Sequence, residues 1–220
     1  MTQALNIDFV SDVACPWCAV GLNSLLQALE QLHEDVEAKI RFRAFELAPD
    51  MPAEGERVLP HLCRKYGLSE DQVRQNQAHI TERGEALGFV FDFRDDSMKW
   101  NTFAAHQLLY WAGEQGAEQQ LALKQALLTA CFCHNRNPSD PSVLYELAGD
   151  AGLDPREARA VLADQRYARA VREQEHQWQQ MGVTSVPTVV FNDRFVVAGG
   201  QPVEVFADAI RQALEQTASD

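Results

Sequence analysis

Two cysteines separated by two residues, in the run Cys15-Pro16-Trp17-Cys18, constrain this chain more than any other feature. A short apolar run at residues 7–10 precedes the pair, and an amphipathic stretch begins directly after it. The pattern predicts that both thiols lie on the first turn of a helix that follows a strand. There, free backbone N–H groups and the positive end of the helix dipole favour the thiolate, which is the nucleophilic form of cysteine.

The spacing within this motif predicts a reaction cycle. Proline suits the first helical position, so Pro16 places Cys15 at the N-cap. Cys18 lies one turn farther along the same face and is close enough to form a disulfide with Cys15. We therefore expect a mixed disulfide at Cys15 that Cys18 resolves. Trp17 adds no positive charge, so the pKa of Cys15 is expected to fall less than a histidine there would cause.

Composition excludes several classes of protein. The 220 residues are 46% hydrophobic, which predicts a packed core, and the net charge of −13 does not suit nucleic-acid binding. No run approaches the ~18 apolar residues of a membrane span, and the first residues lack the pattern of a secretory signal. We therefore expect a cytoplasmic protein without membrane or nucleic-acid partners, whose five cysteines do not form a disulfide scaffold.

The spacing of apolar residues predicts the secondary structure of the first two parts of the chain. The first part reads as a strand, a helix and a second strand, over residues 6–10, 22–32 and 39–47. The middle, roughly residues 57–181, has a helical pattern almost throughout. Capping boxes are expected at Ser69 with Gln72 and at Asp154 with Glu157.

The last part of the chain returns to β structure. A hairpin is predicted over residues 188–191 and 195–198, followed by a helix that begins after Pro202. Val186-Pro187 precedes the first of these strands, and its peptide bond is either trans, the commoner form, or cis, which usually has a role. The two ends of the chain are expected to share one sheet, with the helical block inserted between them.

Several segments besides the cysteine motif resemble the FrnE-like cytoplasmic branch of the DsbA family, whose members have a thioredoxin fold. The resemblance spans nearly the whole chain and is specific because the segments occur together. They are residues 45–47, 101–106, 135–140, 182–187 and 200–202. The chain departs from that branch at Ala48 and at Cys131-Phe132-Cys133, which bears on substrate preference.

The resemblance implies an α/β, thioredoxin-like fold, β-α-β then β-β-α, with a large all-helical insertion. Residues 1–50 and 182–220 would form the thioredoxin-like domain, and residues 51–181 the inserted helical domain. It further implies thiol–disulfide oxidoreductase activity on protein or small-molecule thiols and disulfides. No metal or bound organic cofactor is expected, and glutathione is a candidate reductant or co-substrate.

The resemblance also assigns roles to site residues. Cys15 would be the attacking cysteine and Cys18 the resolving one. Pro187 would be cis and face the pair, and the backbone at Val186 would bind an extended peptide as an added strand. Pro16 and Trp17 would line the groove.

Cys131 and Cys133 are a further candidate redox pair. Side chains two residues apart in a helix point to different faces, although a helix end near Asn135 would remove that obstacle. The alternative is two inert, buried thiols. Zinc binding by the C-x-x-C motif is less favoured, because zinc needs four ligands and Cys131, Cys133 and His134 are the irregularly spaced candidates for the others.

Two other functions remain open. Glutathione-dependent isomerases and transferases of the kappa and 2-hydroxychromene-2-carboxylate isomerase type share the implied architecture, but their usual first motif residue is serine, where this chain has Cys15. A redox-silent binding module is the second alternative.

Glu46 is expected either to transfer a proton to or from Cys18 or to be a hydrogen-bonded residue at a strand end. His106 is expected to be a helix residue whose hydrogen bonds are satisfied. The direction of exchange, the substrate and the oligomeric state do not follow from the sequence.

Overall fold

The computed structural model describes residues 2–217, so residues 1 and 218–220 of the predicted thioredoxin-like domain lie outside it. The strands are β1 (Gln3–Ser11), β2 (Val36–Ala44), β3 (Glu56–Arg57), β4 (Met98–Lys99), β5 (Thr188–Phe191) and β6 (Phe195–Ala198). The helices are α1 (Pro16–Gln31), α2 (Val58–Tyr66), α3 (Glu70–Glu85), α4 (Phe103–Gln115), α5 (Ala117–Phe132), α6 (Pro141–Asp150), α7 (Pro155–Ala163), α8 (Ala168–Gln180) and α9 (Val203–Thr217). In this part of the chain, no helix is both long enough and apolar enough to span a bilayer.

Four strands form the main sheet, in the order β2-β1-β5-β6. β1 runs parallel to β2, and β5 is antiparallel to both β1 and β6. Ile7 of β1 lies opposite Ile40 on one side and Phe191 on the other, and all three are buried. Apolar Leu5, Ile7 and Phe9 alternate with polar residues, but the central position of β1 buries every residue from Ile7 to Ser11 on both faces of the sheet.

Two helices from opposite ends of the chain pack together beside this sheet. α1 contacts α9, and side chains of both join those of the strands in one apolar cluster. Phe206, Ile210 and Leu214 of α9 are buried at helical spacing, as their periodicity predicts. The sheet and these two helices bring residues from the first fifty and the last forty positions into one layered unit.

The inserted segment is mostly helical, and α4, α5 and α8 pack against β2. The prediction of an almost wholly helical middle missed the short antiparallel pairing of β3 with β4, because two-residue strands have no periodicity to detect. The strand predicted over 39–47 ends too late. β2 stops at Ala44, and the N–H of Leu47 donates to the carboxylate of Asp12 at 2.9 Å instead of continuing a ladder.

The predicted helix caps differ in their outcome. Ser69 and Gln72 form the expected reciprocal capping box at the start of α3. Asp154 caps α7 through the N–H of Arg156, whereas Glu157 pairs with Arg166 and does not return to the cap. Val171 and Trp178 of α8 are buried, whereas Met181, directly after the end of this helix, is exposed.

The outer edge of β2 is covered by two glutamine side chains. Gln120 of α5 accepts from the N–H of Phe42 at 3.0 Å and donates to the carbonyl of Phe42 at 3.3 Å. Gln174 of α8 accepts from the N–H of Ala44 at 2.7 Å. An exposed edge strand is a template for aggregation, and these amides satisfy its backbone groups from the insertion.

The apolar side chains form two clusters that do not follow the predicted domain boundaries. The first contains the sheet, α1 and α9, but also Ile80, Phe91, Leu128 and Trp178 of the insertion. The second lies among the inserted helices and includes Val13, which comes from the loop after β1. The division into domains at residues 50 and 182 stays a prediction, and the structure shows extensive packing across it.

Candidate active site

A cavity of about 670 Å³ lies at the N-terminal end of α1. Cys15, Pro16, Trp17 and Val186 line one side of it, and the other walls come mainly from α2, α3 and the end of α5. Together with Cys131 at the end of α5, five of the predicted site residues therefore meet at one cavity. Cys18 lies behind them, fully buried.

The local sequence explains the placement of Cys15. It is the N-cap of α1, Pro16 occupies the first turn, and no side-chain hydrogen bond caps this end. The Cys15 thiol donates to the carbonyl oxygen of Val186 at 3.6 Å, and the Val186–Pro187 peptide bond is cis. Pro187 packs against α1 and is not part of the cavity lining: a Cβ on Gly21 would lie 2.9 Å from its Cγ.

The two thiols are free, and their pKa values move in opposite directions. A hydrogen bond with Cys18 lowers the pKa of Cys15 against the effect of burial, and the charge of Lys99 acts in the same sense. Burial raises the pKa of Cys18 well above its usual value, with further contributions from the hydrogen bond and the charge of Cys15. The arrangement makes Cys15 the better nucleophile and Cys18 the thiol that retains its proton.

Asp12 connects the loop before Cys15 to the end of β2. Its carboxylate accepts from the N–H groups of Ala14 at 3.2 Å and Leu47 at 2.9 Å. His106 Nε2 lies 3.4 Å from Asp12 Oδ1, which is long for a hydrogen bond, and both side chains are buried. Burial opposes ionisation, but His106 and Lys99 hold the pKa of Asp12 below its usual range.

Two lysines lie at the cavity. Lys99 of β4 is nearly buried and donates to the carbonyl of Ala14 at 2.7 Å, directly before Cys15. Lys65 of α2 donates to the carbonyl of Leu47. Burial lowers the pKa of Lys65, and the charge of Lys99 lowers it further. Among residues 2–217, neither ammonium group forms an ion pair with a carboxylate.

Lys124 of α5 is fully buried, and its Nζ has no hydrogen-bond partner in the described part of the chain. It lies 5.9 Å from the centre of the Phe42 ring. Burial lowers the pKa of Lys124, while the charges of Cys18, Asp12 and Cys15 oppose that effect. An amino group here is able to accept a proton or to stabilise a thiolate on Cys18.

Glu46 and Glu175 share one cation. Arg172 hydrogen-bonds to both carboxylates, and one oxygen of each lacks a partner among the described residues. Burial raises the pKa of Glu46 to about 7, and the charge of Glu175 acts in the same sense. The hydrogen bond of Glu46 goes to Arg172 and not to Cys18, so proton transfer between Glu46 and Cys18 stays a prediction.

The second cysteine pair lies at the end of α5. Cys131 is in the last turn and lines the same cavity as Cys15, and Cys133 is the C-cap. Burial raises the pKa of Cys131 to about 12 and also raises that of Cys133, which makes both poor nucleophiles at neutral pH. Their redox role stays a prediction. In the described chain, His134 joins them in no group of three or more potential metal ligands.

Two of the segments that resemble the FrnE-like branch contain an asparagine whose side chain forms hydrogen bonds with loop residues. The Asn101 side chain accepts from the N–H of Phe103 and donates to the carbonyl of Met51. Asn135, at a φ of 49°, donates to the carbonyl of Asp92 and accepts from the hydroxyl of Ser97. These contacts give the segments a structural role at the rim of the site.

The buried charges around the dithiol were not among the residues predicted from the sequence. For Lys124 a signal existed: Gln120, Leu123, Lys124 and Leu127 follow helical spacing, and all are buried. A lysine on an apolar helix face is a reason to look for a partner inside the fold. Lys99 had no such signal, because it lies on a two-residue strand far along the chain from Ala14.

A comparison of the sequence with protein families agrees with three features of the structure. These are the dithiol at a helix N-terminus, the order of the sheet and the helical insertion. The family model for a DSBA-like thioredoxin domain matches residues 6–211. This chain is a member of the DsbA-like family. The predicted family and the α/β thioredoxin-like fold are thereby confirmed, whereas the FrnE-like branch stays a prediction.

Solved structures agree with this assignment. The DsbA-like chain is 37% identical to a probable DsbA oxidoreductase from Streptomyces coelicolor, with a TM-score of 0.87 over 96% of this chain and 90% of the other. A 2-hydroxychromene-2-carboxylate isomerase is 18% identical, with a TM-score of 0.72 over 97% and 98%. The cytosolic disulfide reductase DsbM from Pseudomonas aeruginosa is 16% identical, with a TM-score of 0.63 over 96% and 99%.

At 18% and 16% identity, the last two similarities show the shared fold alone. The family match and the similarity at 37% identity establish the class of enzyme. The DsbA-like protein is a thiol–disulfide oxidoreductase.

Proposed function

We propose that Cys15 and Cys18 are the redox-active dithiol of this enzyme and that exchange proceeds through a mixed disulfide on Cys15. The observation that carries the proposal is the placement of two free thiols at the N-terminus of α1, with Cys15 as the N-cap and Cys18 one turn later. The lowered pKa of Cys15 and the raised pKa of Cys18 agree with it. Cys15 borders the cavity and Cys18 is buried behind it, so only the first thiol faces a substrate.

In the reducing direction, the Cys15 thiolate attacks one sulfur of a substrate disulfide. The substrate S–S bond breaks, one substrate thiolate leaves, and the other sulfur remains bonded to Cys15. Cys18 then loses its proton and attacks the Cys15 sulfur, which releases the second substrate thiolate and forms the Cys15–Cys18 disulfide. Two electrons pass from the dithiol to the substrate, and an external dithiol or a pair of monothiols restores the reduced enzyme.

Buried charges support each half of this cycle. Lys99 is held beside Ala14 and favours the Cys15 thiolate before attack. Lys124 interacts electrostatically with the charge that appears on Cys18 during resolution, and its lowered pKa suits it to accept the Cys18 proton. Lys124 is therefore assigned to the resolving step.

The decisive experiment is a redox titration of the Cys15–Cys18 pair, combined with reduction of 2-hydroxyethyl disulfide and insulin. We expect one two-electron transition and reductase activity in the wild type. Cys15→Ala should abolish both, and Cys18→Ser should accumulate the mixed disulfide, detectable by intact mass. Failure of the wild type to cycle the pair would overturn the proposal.

The same variants test the glutathione-dependent isomerase or transferase, which the similarity in fold keeps as the second candidate. Full activity of Cys18→Ser that depends strictly on glutathione would favour that candidate, because a resolving thiol has no place in its chemistry. Absence of redox cycling and of glutathione-dependent activity would leave a binding module. The FrnE-like branch and a cytoplasmic location belong to this proposal as well.

A further inference from the structure

We propose that the cavity beside Cys15 takes a low-molecular-weight disulfide with an apolar body and an anionic group, in preference to a polypeptide. This inference rests on the proposed role of Cys15 and names the class of substrate that reaches it. It is argued from the access to Cys15, the wall of the cavity and the charges that line it.

Cys15 has little exposed surface. It is only 4% exposed and lines the cavity of about 670 Å³. α3 lies over the motif: the rings of Trp17 and His79 are 5.7 Å apart between centroids, and Arg83 donates to the carbonyl of Gly200 at 3.2 Å. A disulfide inside a polypeptide brings main chain on both sides of its sulfur, whereas a small disulfide enters the cavity whole.

The cavity wall is largely apolar. Aliphatic and aromatic side chains of the inserted segment face Cys15 across the space, among them Leu62, Val73, Ile80, Phe93 and Phe132. A cavity of this size and character suits a compact apolar ligand with a few polar contacts. The amides of Asn76 and Gln77 supply further polar groups at the wall.

The charges at the cavity are unbalanced toward the positive. Asp92 is engaged by Arg94, and His61 by Glu56, so these lining groups are already paired. Lys65 and Lys99 have no carboxylate in an ion pair among the described residues. Asp12 interacts electrostatically with both lysines, but its carboxylate is buried and accepts hydrogen bonds from backbone N–H groups.

The positive charge of Lys65 and Lys99 is opposite in sign to the net charge of the whole protein. With a net charge of −13, the chain as a whole repels an anion. Each lysine hydrogen-bonds to a backbone carbonyl, which holds its ammonium group without neutralising it. An anionic substituent close to the S–S bond would lie near both ammonium groups while one sulfur reaches Cys15.

The test is a single turnover of the reduced, desalted enzyme with two aromatic disulfides. The anionic probe is 5,5′-dithiobis(2-nitrobenzoate), and the neutral probe is 4,4′-dithiodipyridine. Only the kinetic phase that Cys15→Ala removes is measured, so that Cys63, Cys131 and Cys133 do not contribute. Each variant is described by its anionic-to-neutral rate ratio.

Lys65→Met should lower that ratio about fivefold, the effect of one partly screened ionic contact. Lys39→Met removes the same charge from an exposed position on β2 and should leave the ratio within about twofold of the wild type. Raising the salt from about 20 mM to about 500 mM should slow the anionic probe in the wild type, whereas repulsion by the whole protein predicts acceleration. The attraction therefore has to be local to the cavity.

An unchanged ratio in Lys65→Met, or a wild-type rate with the anionic probe that rises with salt, would overturn the assigned substrate class. So would faster single-turnover reduction of insulin than of the anionic probe at equal disulfide concentration. In each of these cases the phase removed by Cys15→Ala still reports exchange at Cys15. Loss of that phase from the wild type is the separate result that would refute the proposed function itself.

Discussion

At the scale of single residues, the site depends on charges that are buried with few direct partners. Burying a charge is costly, and uncompensated charges are retained where chemistry uses them. Lys124 has no hydrogen bond to its Nζ in the described part of the chain, and its electrostatic neighbours are Cys18, Asp12 and Cys15. A role in the resolving step gives this residue a physical reason to be there.

Lys124→Met should slow the resolving step and leave the first attack less affected. With the amino group removed, the thiolate of Cys18 loses a charge that lowers its pKa, and release from a preformed mixed disulfide should slow about tenfold at pH 7. The measurement is stopped-flow release of a chromogenic thiol over a range of pH. The pH profile should move to higher pH, which a loss of packing alone would not cause. Lys39→Met is the control, and an unmoved profile would contradict the assignment.

Glu46→Gln should stabilise the protein at alkaline pH. The folded state raises the pKa of Glu46 from 4.5 to about 7, so wild-type stability falls as the pH rises through that interval, when the unfolded state ionises first. One carboxylate for Arg172 remains in Glu175. We expect the variant to be about 2 kcal/mol more stable at pH 8 and equal to the wild type near pH 4.5, measured by urea denaturation. A uniform loss of stability at every pH would show that Glu46 instead supports the fold as an ionised partner of Arg172.

At the scale of secondary-structure elements, the insertion completes the sheet as well as covering it. β2 lies at one edge of the sheet, and side chains of α5 and α8 hydrogen-bond to the N–H and carbonyl of Phe42 and to the N–H of Ala44. The amide of Gln120 also donates to the carbonyl of Leu109, which ties α5 to α4. One side chain therefore joins three elements.

Gln120→Ala should cost about 3 kcal/mol, because it removes three buried hydrogen bonds and leaves the N–H and carbonyl of Phe42 unpaired. Gln125→Ala, at an exposed position of the same helix, is the matched control and should change stability by less than about 0.5 kcal/mol. Urea denaturation gives the free energy of unfolding. Equal effects of the two substitutions would mean that the edge of β2 does not need this amide.

At the scale of the whole molecule, the two parts of the chain share their apolar clusters. Trp178 and Leu128 of the insertion pack in the cluster of the sheet, and Val13, from the loop before Cys15, packs in the cluster of the insertion. The cavity wall is built from both parts. Access to the nucleophile is therefore a property of the complete chain.

Shared clusters predict one cooperative unfolding transition. Far-UV circular dichroism, tryptophan fluorescence and the alkylation rate of Cys18 should give the same urea midpoint, because loss of the inserted helices removes part of the sheet's own core. An earlier transition that loses helix while Cys18 stays protected would show that the insertion unfolds by itself.

The sequence predicted the local structure of the cysteine motif more completely than the structure around it. The N-cap position of Cys15, the first turn at Pro16 and the helix with Cys18 one turn later follow from neighbouring residues, and the structure has them there. The order of elements at both ends of the chain was also predictable, since its signals are periodic. The end of β2 was not, because a hydrogen bond to Asp12 decides it.

The sequence by itself determined the cysteine motif, the family and the order of strands and helices at both ends of the chain, because these depend on residues close together in the chain. Only the tertiary structure decided which charges surround the dithiol. Lys99 reaches the carbonyl of Ala14 across 85 positions, and Lys124 acts electrostatically on Cys18 from the inserted α5. Such pairings arise from packing between distant segments. Helical spacing indicates that Lys124 is buried, but it does not indicate which groups Lys124 meets.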